Sequence, residues 1–430
     1  MIFKNATILD ENFDVRKGVN LRVEGNIISY IGDDMPEASP DEEMLDCSKR
    51  LIMPGFYNAH GHSPMCLMRG YGENLNLQDW LFNRIFPFEA QLTSDAVYWA
   101  TMLTMAESLQ YGIVSTSDMY YFCDDMARAV EESGAKANIS RAISKMDESP
   151  FFEFKAIREM QNLVKSIHGA ANGRVKMDSS LHAEYTNNEG TIRNLAEFTK
   201  ELGLIMHVHV SETKTEHEEC KERHEGRTPT RYLADCGLFD VPALAAHCVW
   251  VEDEDRDILS EKGVTVATNP ASNLKLASGV CNVKALMDKG VRVAIGTDSV
   301  ASNNNLSMFE EMKTMSLLAK VASNDPTVLT PKEAITMATR HGALAQGRED
   351  CGLIKEGFKA DLVLIKLDSP NMNPVYNMLN NLVLAATDMD IAMTMVDGKV
   401  LYRDGEFTTI DLERVIRGVE ESVKDILGRL

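Results

Sequence analysis

The sequence predicts an α/β protein: a (β/α)8 barrel of the TIM type, with a small β-sandwich domain built from the N- and C-terminal strands. Three observations carry this reading. Short apolar strands alternate with amphipathic helical stretches through the middle of the chain, eight strands in all. Both ends of the chain read instead as strands punctuated by turns. Polar residues able to do chemistry stand at the ends of the apolar strands, where a parallel barrel keeps its active site.

Residues 1–53 open with a strand over Met1 to Asp10 and carry turn signals at Glu24-Gly25-Asn26 and Gly32-Asp33. The barrel is expected over residues 54–353. Its first strand is read as Ile52 to Ala59, followed by Ile113 to Met119, Ala137 to Ile143 and Val175 to His182. Ile205 to Val210, Ala243 to Val249, Val264 to Thr268 and Val291 to Gly296 complete the set. Between them, segments such as Ser94 to Gln110 and Thr191 to Leu202 space apolar residues three and four apart, as amphipathic helices do. Strand–helix units in such a series favour a closed barrel over an open sheet. After a helical Pro331 to Ala345, residues 354–430 return to strands at Ala360 to Ile365 and at the hairpin-like Val396-Asp397-Gly398-Lys399-Val400. The two terminal sets are expected to combine into one composite β domain. A final helix, Asp411 to Leu427, has a mixed charged face and is expected to pack on the outside.

The 430 residues include 65 acidic against 44 basic ones, a net charge of −21. Such a surface keeps a protein soluble and repels nucleic acid and anionic membranes, so the expected partner is a small molecule. No apolar stretch is long enough to span a bilayer, and Met1 to Asp10 reads as a strand rather than a leader. The eight cysteines lack C-x-x-C spacing, and several sit in apolar runs, as Cys248 does. Reduced thiols and a cytoplasmic location are therefore expected.

His60 and His62 flank a glycine just after the apolar run Leu51 to Phe56. Strand side chains alternate with a period of two, so both imidazoles point to one side and can grip one divalent ion. His209-Val210-Ser211-Glu212, Ala246-His247-Cys248 and Gly296-Thr297-Asp298-Ser299 end later strands and add two imidazoles and two carboxylates. That is the inventory of a mononuclear metal hydrolase. Any one of these histidines alone reads as well as a core or surface residue; their joint placement at strand ends favours the metal. His207 shares the strand face of His209 and competes with it as a ligand.

With these and neighbouring motifs the chain resembles the amidohydrolase superfamily. The motifs are Met53-Pro54-Gly55-Phe56-Tyr57-Asn58-Ala59-His60-Gly61-His62, Ala245-Ala246-His247-Cys248, and Asn269-Pro270-Ala271-Ser272-Asn273 continuing to Gly279. Gly296-Thr297-Asp298, Ser302-Asn303-Asn304 and Gly357-Phe358-Lys359-Ala360-Asp361-Leu362-Val363 complete them. More closely, the chain is similar to the adenosine-type deaminases acting on S-adenosylhomocysteine and 5′-methylthioadenosine, with triazine chlorohydrolases as relatives. The resemblance spans nearly the whole chain.

It implies one metal ion held by His60, His62, His209 and Asp298, with zinc expected and iron(II) or manganese(II) as alternatives. The three-residue step from ligand to catalytic glutamate selects His209 over His207, because Glu212 then fits. Two-metal members bridge their ions with a lysine at the end of strand four; here Lys176 lies near the start of that strand and His182 at its end. A bound divalent cation lowers the pKa of water from 15.7 towards ~7. By resemblance, Asp298 takes the water proton and passes it to the leaving amine, Glu212 protonates the ring nitrogen, and His247 hydrogen-bonds the attacking water. Association into a homo-oligomer is also implied.

The same resemblance places Trp80 over the nucleoside, Glu89 on the ribose hydroxyls, Arg141 near the substrate and His182 on the purine, with Ser302 as a further contact. Two departures bear on the substrate. The branch reads His-Ser-Pro-Tyr where this chain has His182-Ala183-Glu184-Tyr185, and Thr-Asp-Gly where it has Thr297-Asp298-Ser299. Glu184 is expected either to favour a substrate with an extra amino group or positive charge, or to be a solvated loop acid. The implied activity is hydrolytic deamination of an adenosine-like nucleoside to its inosine analogue and ammonia. The alternatives are a guanine, pterin or triazine ring, or a chlorohydrolase-like reaction; some chlorohydrolases lack the glutamate that Glu212 supplies. A retired fold kept as a scaffold is disfavoured, because it has no physical need for so costly a polar cluster.

Overall fold

A computed structural model of the chain describes residues 1–75 and 77–430. Eight strands lie side by side in sequence order. They are Phe56–Gly61, Ile113–Tyr120, Lys136–Ile143, Val175–Leu181, Met206–Val210, Ala243–His247, Thr265–Thr268 and Arg292–Ile295. Every neighbouring pair is parallel. The strands are buried along almost their whole length, as a parallel sheet covered by helices requires.

The eighth strand meets the first through one isolated parallel bridge, Gly61 with Asp298. Three hydrogen bonds reinforce this seam. Asp298 N–H donates to the His60 carbonyl at 3.0 Å. Thr297 N–H donates to Asn58 Oδ1 at 3.0 Å, and Asn58 Nδ2 donates to Thr297 Oγ1 at 2.8 Å. Gly296 makes this approach possible: a Cβ there would stand 2.3 Å from Asn269 Oδ1 and 2.8 Å from His60 Cβ. The barrel expected from the strand series is thus present and closes at the His60 end of its first strand.

Seven of the eight strands fall within two residues of their expected bounds. The first does not. The run expected as one strand from Ile52 to Ala59 is two, Arg50–Pro54 in a separate sheet and Phe56–Gly61 in the barrel. The chain crosses between sheets at Gly55, where a Cβ would lie 2.3 Å from Val114 Cγ1. Apolar periodicity is blind to such a crossing, because both halves are buried strands.

The chain ends build the second sheet. Its hydrogen-bonded path runs Glu406–Phe407, Lys399–Arg403, Ile391–Val396, Leu362–Lys366, Arg50–Pro54, Ile2–Leu9, Val15–Glu24 and Ile27–Gly32, with Met44–Asp46 also on Ile2–Leu9. The small β domain expected from the chain ends is present, built on one continuous mixed sheet. The sandwich-like core arises because the sheet curls until distant strands meet. Ile27 bridges to Lys359, and Gly398 packs so tightly that a Cβ would lie 2.1 Å from the Gly25 carbonyl. The curled face encloses Phe3, Leu21, Ile52, Leu364 and Met393 as a core of its own. The alternate residues Leu51, Met53, Val363 and Ile365 face the other way and join the barrel's core. The last helix, Leu412–Leu427, lies outside against Ser94–Gln110, with Gly418 giving room for the Trp99 ring. No helix among the described residues is long and apolar enough to cross a membrane.

Gly296→Ala tests the seam. Overpacking at this backbone approach should destabilise the fold by about 1–3 kcal/mol. Because the displaced neighbour is His60, divalent-metal affinity should fall with it, read by thermal melting and metal titration.

Candidate active site

All the chemical side chains come from the C-terminal ends of the strands. His60 and His62 leave the first strand, and their rings stand edge to face with centroids 4.8 Å apart. His209 ends the fifth strand, with its Nε2 3.3 Å from that of His62. Asp298 Oδ1 lies 3.3 Å from His62 Nε2 and 3.5 Å from His60 Nε2. His60, His62 and His209 form one group with ligand-capable atoms mutually within 4.8 Å, and His60, His247 and Asp298 form another.

The tautomers suit a metal. His62 Nδ1 is 2.6 Å from the Met119 carbonyl, and His209 Nδ1 is 2.6 Å from the His182 carbonyl. A carbonyl only accepts, so each Nδ1 carries the hydrogen and each ring turns its Nε2 towards the cluster. His60 Nδ1 is hydrogen-bonded to His207 Nε2 at 2.8 Å, and its buried Nε2 has no hydrogen-bond partner among the described residues. Burial pushes His60 down to about 3 and His209 far below the usual imidazole range, the neutral form a metal needs. Burial works against charge on His62 as well, yet hydrogen bonding to Asp298 wins and draws it up to about 9. Three imidazole nitrogens and a carboxylate converge within reach of one cation, and a metal would take the place of the proton that His62 otherwise holds against Asp298. The donor set fits one divalent ion.

Around this cluster, Asp298 Oδ2 accepts from Ser272 Oγ at 2.5 Å and from Ser302 Oγ at 3.0 Å. His247 Nδ1 lies 2.8 Å from Asn273 Oδ1, and its Nε2 is 3.8 Å from Glu212 Oε2. Burial raises Glu212 above the usual carboxyl range. Ser211, His247 and Asp298 all hold positive φ, of 48°, 72° and 59°. Such backbone persists only where surrounding bonds over-determine it. The cluster floors a cavity of about 660 Å³, walled by Trp80, Glu89, His182, Tyr185 and Leu276 among others.

The sequence profile of the Amidohydrolase family matches residues 51–401. The chain belongs to the amidohydrolase family. It is 39% identical over 429 residues to the 5-methylthioadenosine/S-adenosylhomocysteine deaminase of Dictyoglomus turgidum, covering 100% of this chain and 99% of that one. To the 5′-deoxyadenosine deaminase of Methanosarcina mazei it is 38% identical over 433 residues, with 100% and 99% covered. Its fold matches the crystal structure of a zinc-bound adenosine deaminase from Xanthomonas campestris with a TM-score of 0.93 at 28% identity, covering 99% and 98% of the two chains. This amidohydrolase is a metal-dependent enzyme.

Of the residues expected to touch substrate, three line the cavity. Trp80 is buried and its Nε1 has no hydrogen-bond partner among the described residues. Glu89 accepts from Tyr120 Oη at 2.7 Å; burial outweighs that bond and pushes the carboxyl up to about 7. His182 is pushed down to about 4 by burial. Arg141 stands elsewhere, in a side cavity beyond Glu89, where it donates to Glu159 at 2.8 Å and to the Ala142 carbonyl at 2.7 Å. Ser302 is fully buried behind Asp298, so it holds that carboxylate rather than a substrate.

Glu184 matches neither expectation. It is 2% exposed, and its carboxylate takes Arg223 Nη2 and His224 Nε2, both at 2.7 Å. The single helical turn Glu184–Thr186 carries it away from His182 towards the helix Lys214–Arg223, so adjacency in sequence is not adjacency in the cavity. Lys176 donates to the Gly347 carbonyl at 2.8 Å, at the start of its strand and away from the rim. Sequence reasoning missed the supports: Ser272 on Asp298, Asn273 on His247, Tyr120 on Glu89, and the Met119 carbonyl on His62. Ser272 and Asn273 stand inside a motif already noted; nothing in the residue types marked Tyr120 or a backbone carbonyl.

Purified protein should hold about one divalent ion per chain, and His60→Ala or Asp298→Ala should lose it. Metal analysis giving two ions per chain would defeat this assignment. Ser302→Ala should keep the fold but weaken metal affinity or activity by about 10–100-fold, as loss of an outer support does. Glu184→Ala should cost about 1.5–3 kcal/mol of stability through its lost charged hydrogen bonds. Relative kcat/KM across substrates should stay flat; a tenfold change in those ratios would return Glu184 to the binding site.

Proposed function

We propose that this chain is a mononuclear aminohydrolase that deaminates an adenosine-like nucleoside to the inosine analogue and ammonia. The substrate class is 5′-methylthioadenosine, S-adenosylhomocysteine, adenosine or 5′-deoxyadenosine. The observation that carries the reading is full-length similarity to deaminases of such nucleosides, together with Glu212 and His247 facing the same cavity as the inferred ligands. Zinc is the proposed ion: three imidazoles and a carboxylate suit it, and the matched Xanthomonas enzyme binds it. The hydrolase unit is assigned to residues 54–353 and the composite β domain to residues 1–53 and 354–430, in a cytoplasmic protein that associates with its own copies.

When bound, the ion supplies a Lewis acid that makes water nucleophilic near neutral pH. The chain's own groups do the rest. Asp298 has Oδ2 engaged by two hydroxyls, which leaves Oδ1 to hold a proton from the attacking water. With Nδ1–H donated to Asn273, His247 turns Nε2 towards Glu212 and can accept a hydrogen bond from that water. Glu212, raised by burial, carries a proton for the ring nitrogen as the carbon is attacked. The proton on Asp298 then leaves with the amine as ammonia. Trp80 covers the ring and excludes water, and Glu89, oriented by Tyr120, is placed to accept from sugar hydroxyls.

Metal-loaded protein should release ammonia from members of this nucleoside panel and not from guanine, pterins or amino-triazines. Turnover confined to one of those other rings would replace the substrate class. Glu212→Gln should keep its metal and most substrate affinity while kcat falls roughly 10²–10⁴-fold. Turnover near wild type in that variant would show the proton path to be wrong.

A further inference from the structure

Glu216 stands one turn into the helix Lys214–Arg223, is 6% exposed, and touches neither the cavity nor the inferred metal ligands. Its carboxylate makes an unusual pair of bonds. Oε1 accepts the Ser211 backbone N–H at 2.8 Å, and Oε2 accepts the Glu212 backbone N–H at 2.7 Å. These are consecutive peptide groups of the link between the fifth strand and its helix, and the second belongs to the proposed proton donor itself. The same link is gripped from the other side, where the Ser211 carbonyl accepts from Val249 N–H at 3.1 Å and Trp250 N–H at 3.0 Å. Ser211 sits between these grips at φ 48°, a left-handed conformation that a serine holds only under restraint.

We propose that Glu216 is the positioning residue for Glu212: its two-oxygen grip fixes the backbone from which the Glu212 side chain is aimed towards His247. This rests on the reading of Glu212 as proton donor. Both Glu216 oxygens act as acceptors towards two parallel N–H groups; burial and the neighbouring Glu212 push this carboxyl up to about 8, and these two N–H bonds work the other way, favouring charge. A glutamine in its place would keep the shape but set an amide N–H₂ against one of them. The Glu212 carboxyl would then lose a fixed bearing relative to His247 Nε2, 3.8 Å away. Misplacement of a reacting group by ~1 Å costs about 10²-fold in rate.

The test is a double-mutant cycle on the metal-loaded enzyme with 5′-methylthioadenosine, using Glu212→Gln, Glu216→Gln and the double variant, with metal content and thermal midpoint measured on each. Glu216→Gln should lower kcat roughly 10–100-fold with KM within about threefold and one metal retained. In the Glu212→Gln background the same change should have almost no further effect on kcat, because the group it positions is gone. Glu216→Asp, which keeps the carboxyl group but shortens the reach, should lie between wild type and Glu216→Gln, and it stands in if the glutamine variant does not fold. Full kcat in the folded Glu216 variants overturns the proposal. So does a loss that multiplies with that of Glu212→Gln, since Glu216 would then act on something else. If Glu212→Gln alone leaves kcat unchanged, the reading of Glu212 fails instead, and a fall in kcat for Glu216→Gln in that case assigns Glu216 a different target.

Discussion

The contact on which most of this molecule depends is the seam where the eighth barrel strand returns to the first. It has no ladder of its own among the described residues, only the Gly61–Asp298 bridge, the bond from Asp298 to the His60 carbonyl and the Asn58–Thr297 pair. The residues that close the barrel are therefore the residues that gather the inferred ligands. His60 and His62 arrive from one side of the seam and Asp298 from the other, and no separate device is needed to bring a carboxylate within 3.3–3.5 Å of two imidazoles. This is why Gly296 admits no side chain, and why the contacts that close the fold are also those that gather the inferred ligands.

Closing the barrel there has an electrostatic consequence. Three imidazoles, Asp298 and Glu212 are buried together, an arrangement that folding disfavours unless opposite charge is supplied. Asp298 shows the tension directly: burial pushes against its charge, yet the His60 and His62 rings beside its Oδ1 hold it well below the usual carboxylate range. The imidazoles and Asp298 are oriented by partners that do not themselves react: His207 on His60, backbone carbonyls on His62 and His209, two serine hydroxyls on Asp298, and Asn273 on His247. The cluster is thus oriented by bonds within the protein itself, the arrangement that electrostatic preorganisation calls for.

How much of this was legible in the sequence follows from what each signal measures. The barrel was legible because each strand is buried on both faces and bounded by a helix, which writes a short apolar run followed by a three-to-four spacing. That the candidate ligands gather at one rim was legible because strand ends are fixed by those same runs, whereas the choice of His209 over His207 came from the family resemblance alone. The split at Gly55 was not, since an apolar run carries no mark of which sheet it joins. Glu184 was misjudged because a single helical turn reverses the direction of a side chain without altering composition, and Ser302 because a hydroxyl behind a carboxylate looks in sequence like one facing a ligand. Arg141 was placed on the right strand, but its partner Glu159 comes from a separate helix, and nothing local announces that pairing.

The composite domain at the chain ends enters the same logic. Asp361, in the last motif noted from the sequence, accepts from Tyr57 Oη at 2.5 Å, from the Asp397 N–H at 2.8 Å, and from Lys136, which also pairs with Asp397 at 2.7 Å. Tyr57 and Lys136 belong to the first and third barrel strands, whereas Asp361 and Asp397 come from the terminal sheet. Such a buried ionic group is strongly destabilising to break one partner at a time, by about 3–5 kcal/mol in comparable cases, so it pins the two units in one register. Tyr57 is three residues before His60 on the same short strand. The terminal sheet thereby fixes the strand that presents His60 and His62 to the seam, and a motif 304 residues beyond Tyr57 in sequence holds the inferred metal site in place without touching it.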